Sequence, residues 1–169
     1  MAFAIWLTGL PASGKSTIAA ALKPRLEACG YRVEVLESDV LRRVLTLEPT
    51  YVPAERELFY RAMAYLWARL VAHGVSVVFD ATANRRAYRD FARTLIPEFY
   101  EIAVECPLPI CQARDYKGTY RKGETGESAT VPGLQEPYEP PLAPAVRLDT
   151  VNTPTSQAVE AILAVLQHP

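Results

Sequence analysis

The sequence has no surplus of positive charge to lay along a nucleic acid. Its 18 lysines and arginines are offset by 19 aspartates and glutamates, for a formal net charge of −1. A polyanionic partner is therefore not expected, although a small anionic ligand needs only a few local cations. Histidine is nearly missing. His73 precedes Gly74 at a helix end, where a cation suits the dipole, and His168 is next to the terminus and is read as solvated. Cys29, Cys106 and Cys111 are an odd set without metal-ligand spacing. They are expected to be reduced thiols, with Cys106 and Cys111 in apolar surroundings. No apolar run approaches the roughly 20 residues that cross a bilayer. The first run, Phe3 to Leu7, leads directly into a loop and is read as leaving no room for a signal peptide. A cytoplasmic protein with no membrane partner is the expectation.

What is present fits one compact α/β domain over residues 1–169, half of whose residues are apolar. Near-continuous apolar runs at 2–8, 31–37, 75–81, 100–106 and 145–150 read as strands buried on both faces. Helical patterns alternate with them, which predicts a mostly parallel five-stranded sheet with helices on both faces, a three-layer sandwich. Helices are expected over Lys15 to Cys29 (kinked at Pro24), Glu55 to His73, Arg85 to Leu95, Leu108 to Arg114, and after Thr153-Pro154. Tyr60 and Tyr65 read as packing groups. Arg85, Arg86, Arg89 and Arg93 read as a solvated helix face, with one of the first two able to reach an anion. Residues 116–144 break the rhythm with Gly118, Gly123, Gly126, Gly133 and five prolines. So long a loop in so small a domain suggests a lid.

Gly9-Leu-Pro-Ala-Ser-Gly14-Lys15-Ser16 matches G-x4-G-K-[ST], between a strand and a helix as the motif requires. Gly9, Ala12, Ser13, Gly14, Lys15, Ser16 and Thr17 are the candidates for holding the phosphates of ATP. Inward-pointing amides and the helix N-terminus favour negative charge there. Lys15 is expected at the β- and γ-phosphates and Ser16 in the shell of a Mg2+ ion. The guanine-specificity element Asn-Lys-x-Asp of a GTPase is missing, as is the apolar strand ending in Asp-Glu of a motor or transport ATPase. An acidic residue at a strand end, arginines and a lid point to a P-loop kinase acting on a small-molecule hydroxyl, since phosphoryl transfer must exclude water. Asp39 and Asp80 both follow strands. Either can serve a metal or accept a proton, with helix capping as the bland alternative.

These residues resemble the adenylyl-sulfate (APS) kinase family over nearly the whole chain. Trp6-Leu7-Thr8-Gly9-Leu10 and Ser13-Gly14-Lys15-Ser16-Thr17-Ile18-Ala19 are similar to that family's phosphate loop. Its Asp-Gly-Asp-x-x-Arg hallmark stands as Glu37-Ser38-Asp39-Val40-Leu41-Arg42. Arg114-Asp115-Tyr116-Lys117-Gly118-Thr119-Tyr120, Gly126-Glu127, Pro132-Gly133-Leu134 and Pro137-Tyr138-Glu139-Pro140-Pro141 resemble its lid. The resemblance implies transfer of phosphate from ATP to adenylyl sulfate in sulfate assimilation, with Asp39 joining Ser16 at the metal. It implies Tyr51 on the substrate adenine, and Arg42, Arg56, Arg61, Lys117 and Lys122 on the anionic substrate. It also implies Arg114 on the ATP adenine. The family's Phe-Ile-Ser-Pro segment is here Ala81-Thr82-Ala83-Asn84, and Thr46, Ala62 and Val131 also depart from its pattern. Another small-molecule or nucleotide hydroxyl is the second reading, and a non-catalytic nucleotide-binding regulator the third. A homodimer is left open.

Overall fold

The structure is a computed structural model in which residues 1–167 are described, so His168 lies outside them. Its five strands are β1 (Ala4–Thr8), β2 (Val33–Glu37), β3 (Ser76–Asp80), β4 (Phe99–Glu105) and β5 (Val146–Asp149). All pair in parallel, in the order β2-β3-β1-β4-β5. Parallel neighbours need crossovers, and helices supply them: α1 (Lys15–Ala28), α2 (Ser38–Leu45), α3 (Pro53–Ala72), α4 (Arg86–Leu95), α5 (Leu108–Ala113) and α6 (Thr119–Glu124), while α7 (Thr155–Gln167) follows the last strand.

Successive residues of β1 feed opposite faces of the sheet. Ile5 and Leu7 join Ile18, Leu22 and Leu26 of α1 and Val159 and Ile162 of α7 in one core. Ala4 and Trp6 join Phe59, Met63 and Trp67 of α3 and Tyr88 and Ala92 of α4 in the other. Trp6 is fully buried, edge-on to Trp67 at 5.2 Å and to Phe79 at 4.9 Å between ring centroids, and its indole N–H donates to the Ala81 carbonyl at 3.1 Å. That bond fixes the chain where it leaves β3.

The expected strands and long helices are all present, and α1 runs through Pro24 without ending. Two short helices were not foreseen. α2 begins directly at the end of β2, with no loop to announce it. α6 lies inside the segment read as a loop, where Gly118 supplies its cap at φ 67°. Two other readings need correction. Tyr65 is 60% exposed rather than packed. Arg89, assigned to a solvated face, is 0% exposed because it turns inward to Glu101 on β4, at 2.6 Å.

Candidate active site

Residues 9–16 join the C-terminal end of β1 to α1. Gly14 adopts φ 107°, a conformation that side chains rarely take, and Ala12 also lies in the left-handed region at 61°. Gly9 is required for another reason: a Cβ there would stand 2.3 Å from the Val104 carbonyl oxygen of β4. Lys15 is buried, and its ammonium donates to the carbonyls of Gly9 (3.0 Å) and Leu10 (2.8 Å). Burial lowers its pKa from the usual lysine range, against the pull of Asp80 and then Asp39. Ser13 is fully buried, its hydroxyl without a partner and its carbonyl accepting from Thr150 Oγ1 at 2.6 Å.

The loop borders a cleft of about 1050 Å³ at the carboxyl ends of the strands, the usual ligand position in an open parallel sheet. Both candidate carboxylates line it. The Ser16 hydroxyl donates to Asp80, not to Asp39. Strand register decides this, because Leu7 pairs with Asp80 and brings the end of β3 alongside the phosphate loop. Asp39 sits in the first turn of α2 and accepts from Lys117 at 2.8 Å. Burial works to lower the Lys117 pKa, but contact with Asp39 outweighs it and the net shift is upward. Among the described residues no group of three or more His, Cys, Asp or Glu side chains gathers around a metal position.

At the far end of the cleft, Arg42, Tyr51 and Arg56 converge. The Arg42 guanidinium is buried, 4.0 Å from the Phe59 ring centroid and 4.9 Å from that of Tyr51. Glu55, which the sequence did not single out, holds this end together. It accepts from Arg42 (3.1 Å), from the backbone and hydroxyl of Thr50 (2.6 Å each) and from the Tyr51 backbone (3.3 Å). Tyr51 is thereby kept at φ 58°, which is costly for a residue with a Cβ. Arg56 donates to Tyr51 O (2.8 Å), Asn84 Oδ1 (2.9 Å) and Thr130 O (2.5 Å). Arg61 does not join them. It is exposed on α3, with its guanidinium 4.0 Å above the Phe91 ring. Five residues along a helix turn the side chain by about 140°, so positions 56 and 61 face different ways.

The Ala81–Asn84 turn and residues 116–144 close the remaining sides. Ala83 is strained at φ 44°, and its carbonyl accepts from Arg89. Arg89 also donates to the Glu139 carbonyl at 2.6 Å, which ties α4, β4 and the return of the lid together. The lid is packed rather than free. Tyr120 and Val131 are buried with Cys106 and Cys111, and Leu10, Ala12 and Leu134 pack against them. The Tyr120 hydroxyl donates to the Pro11 carbonyl at 2.8 Å. Burial, with Cys106 beside it, pushes the Cys111 thiol up to about 12, so it is inert as a nucleophile. Lys117 and Lys122 line the cleft from the lid. Arg114 lines the cleft on the side of the phosphate loop, donating to Thr150 Oγ1 (3.4 Å) and Thr150 O (3.3 Å), the residue whose hydroxyl reaches Ser13 O. Of the site residues read from the sequence, Gly9 and Ser13 belong to the loop without lining the cleft, Arg61, Arg85 and Arg86 do not line it either, and the others do.

Comparison with known proteins gives a consistent result. The sequence model of the family described as adenylylsulphate kinase matches residues 1–149. The chain is 37% identical over 164 residues to the adenylyl-sulfate kinase of Rippkaea orientalis, covering 97% of this chain and 91% of that one. It is 38% identical over 159 residues to that of Gloeothece citriformis, covering 94% and 90%. Among solved structures, the APS kinase CysC of Mycobacterium tuberculosis in complex with AMPPNP and APS superposes with a TM-score of 0.91. That pair shares 29% identity, with 98% of each chain covered.

Proposed function

The chain belongs to the adenylyl-sulfate kinase family, and we propose on that premise that it transfers the γ-phosphate of Mg-ATP to the 3′-hydroxyl of adenylyl sulfate, giving ADP and 3′-phosphoadenylyl sulfate. The observation that carries this reading is one continuous cleft with two different ends. One end is a phosphate loop beside Arg114, and the other is an aromatic and arginine-lined pocket under the lid. A kinase for a neutral sugar has no use for the second end. The reading is also supported by the relative from M. tuberculosis, which was solved with an ATP analogue and APS together.

At the donor end, Lys15 exchanges its two loop carbonyls for the β- and γ-phosphates. The flat guanidinium of Arg114 packs on the adenine. Ser16 and Asp80 offer hard oxygen donors next to the loop, which fits Mg2+; this ion takes few protein ligands and completes its shell with phosphates and water. When bound, it neutralises charge on the β- and γ-oxygens. At the acceptor end, Tyr51 stacks on the adenine and Arg42 and Arg56 hold the phosphosulfate, with Lys117 and Lys122 above. Asp39 accepts the proton of the 3′-hydroxyl as its oxygen bonds to the γ-phosphorus and the bond to the β-phosphate oxygen breaks. The lid keeps water from taking the place of that hydroxyl. The test is a panel of hydroxyl acceptors with labelled Mg-ATP. Adenylyl sulfate should give stoichiometric ADP and a 3′-phosphorylated product. ADP formation with another acceptor, and none with adenylyl sulfate, would leave only the general kinase reading.

A further inference from the structure

Asn84 stands where the family segment Phe-Ile-Ser-Pro ends in proline, and its side chain makes two hydrogen bonds that a proline cannot make. It is 2% exposed at the wall of the cleft. Its Oδ1 accepts from Arg56 Nη1 at 2.9 Å, and its Nδ2 donates to the Pro137 carbonyl of the lid at 3.2 Å. Its own carbonyl accepts from the Glu139 amide at 2.7 Å. Arg56 in turn donates to Tyr51 O on the acceptor side and Thr130 O on the other leg of the lid. One amide side chain therefore stands between the acceptor pocket and both legs of the lid.

We propose that Asn84 is a positioning residue that clasps the lid to Arg56, so that lid closure and the shape of the acceptor pocket are set together. The two halves of the amide have separate tasks. The oxygen orients Arg56 toward the acceptor, and the nitrogen holds the returning leg of the lid. A closed lid thus fixes the arginine, and a fixed arginine holds the lid. Only the kinetic arm of the test rests on the adenylyl-sulfate reading.

Asn84→Ala removes both halves, whereas Asn84→Asp keeps an acceptor for Arg56 and sets a second oxygen against the Pro137 carbonyl. With Mg-AMPPNP alone, hydrogen exchange of residues 130–139 should quicken about tenfold in both variants, the scale of one lost hydrogen bond. The KM for adenylyl sulfate should rise about tenfold in Asn84→Ala and by less, but measurably, in Asn84→Asp, which keeps the contact to Arg56 and loses the one to the lid. ATP lost to water per product formed should rise in both. Should Asn84→Ala fail to fold, Asn84→Asp decides alone: faster exchange with a raised KM supports the clasp, and faster exchange with KM unchanged overturns the coupling. Variants that lower the melting temperature yet exchange at 130–139 like the parent would reduce Asn84 to a packing residue and overturn the clasp. If the parent itself does not phosphorylate adenylyl sulfate while the exchange pattern holds, the proposed function falls and the clasp stands.

Discussion

Lys15 spends its charge on two carbonyls of its own loop, the contacts that phosphate is proposed to displace. Lys15→Ala should lower kcat/KM by a hundredfold or more, about 3 kcal/mol for one preorganised electrostatic contact, measured as labelled product. Turnover within tenfold of the parent would remove Lys15 from the chemistry. The two carboxylates should separate by assay. Asp39→Asn should lower kcat more than it raises KM, whereas Asp80→Asn, next to Ser16, should raise the Mg2+ concentration needed for half-activity. Glu55 gives a pH signature. Burial works to raise its pKa, but hydrogen bonds from Thr50 and Tyr51 and the charge of Arg42 bring it below the ordinary 4.5. A depressed carboxylate stabilises the fold above that value, and the contribution is lost as pH falls through the lower folded value. Glu55→Gln should therefore lower the melting temperature at pH 7 by a few degrees, from about 1 kcal/mol. The gap should close as melts are repeated below pH 4.5; a gap that stays constant would assign the effect to shape, not charge.

At the scale of elements, α4 and the lid are joined through one buried ion pair. Arg89→Met would strip Glu101, 5% exposed, of its inner partner and leave only Arg93 at 2.8 Å. Removing one member of a buried pair costs about 3–5 kcal/mol, and the remaining contact argues for the lower figure. Denaturant titration should read that loss, and activity should fall with it because the Ala83 and Glu139 carbonyls lose their donor. The sequence suggested a lid that is one long loop over 116–144. The structure narrows this, since Tyr120 and Val131 form an apolar plug against the phosphate loop. Nicking should concentrate at exposed stretches such as 124–127 and at Tyr116, and fade with AMPPNP plus acceptor. Tyr120→Phe, which deletes the 2.8 Å bond to Pro11 O, should quicken it.

For the whole molecule, the cleft draws on the carboxyl ends of β1, β2 and β3, on the lid and on α7, so ligand binding should stabilise the fold as a unit. At a hundredfold excess over its Kd, Mg-AMPPNP should add about 2.7 kcal/mol, visible as a raised melting temperature. Lys15→Ala should shrink that shift. The sequence alone determined the strands, the long helices and the phosphate loop, because each depends on residues adjacent in the chain: an apolar run, a helical period, glycines where the backbone must turn. It also placed Tyr51, Arg42 and Arg56 at one end of the site through resemblance to a family. It could not reveal α2 or α6, which are too short to carry a period. It could not choose Asp80 over Asp39 as the partner of Ser16, since those two residues are 64 positions apart and meet only through the register of β1 with β3. Nor could it turn Arg61 away from the cleft or Arg89 into the core, because helix rotation and the position of Glu101 decide which way an arginine faces. Local backbone demands are written in neighbouring residues, whereas the pairing of charges across the molecule exists only after the sheet has set its register.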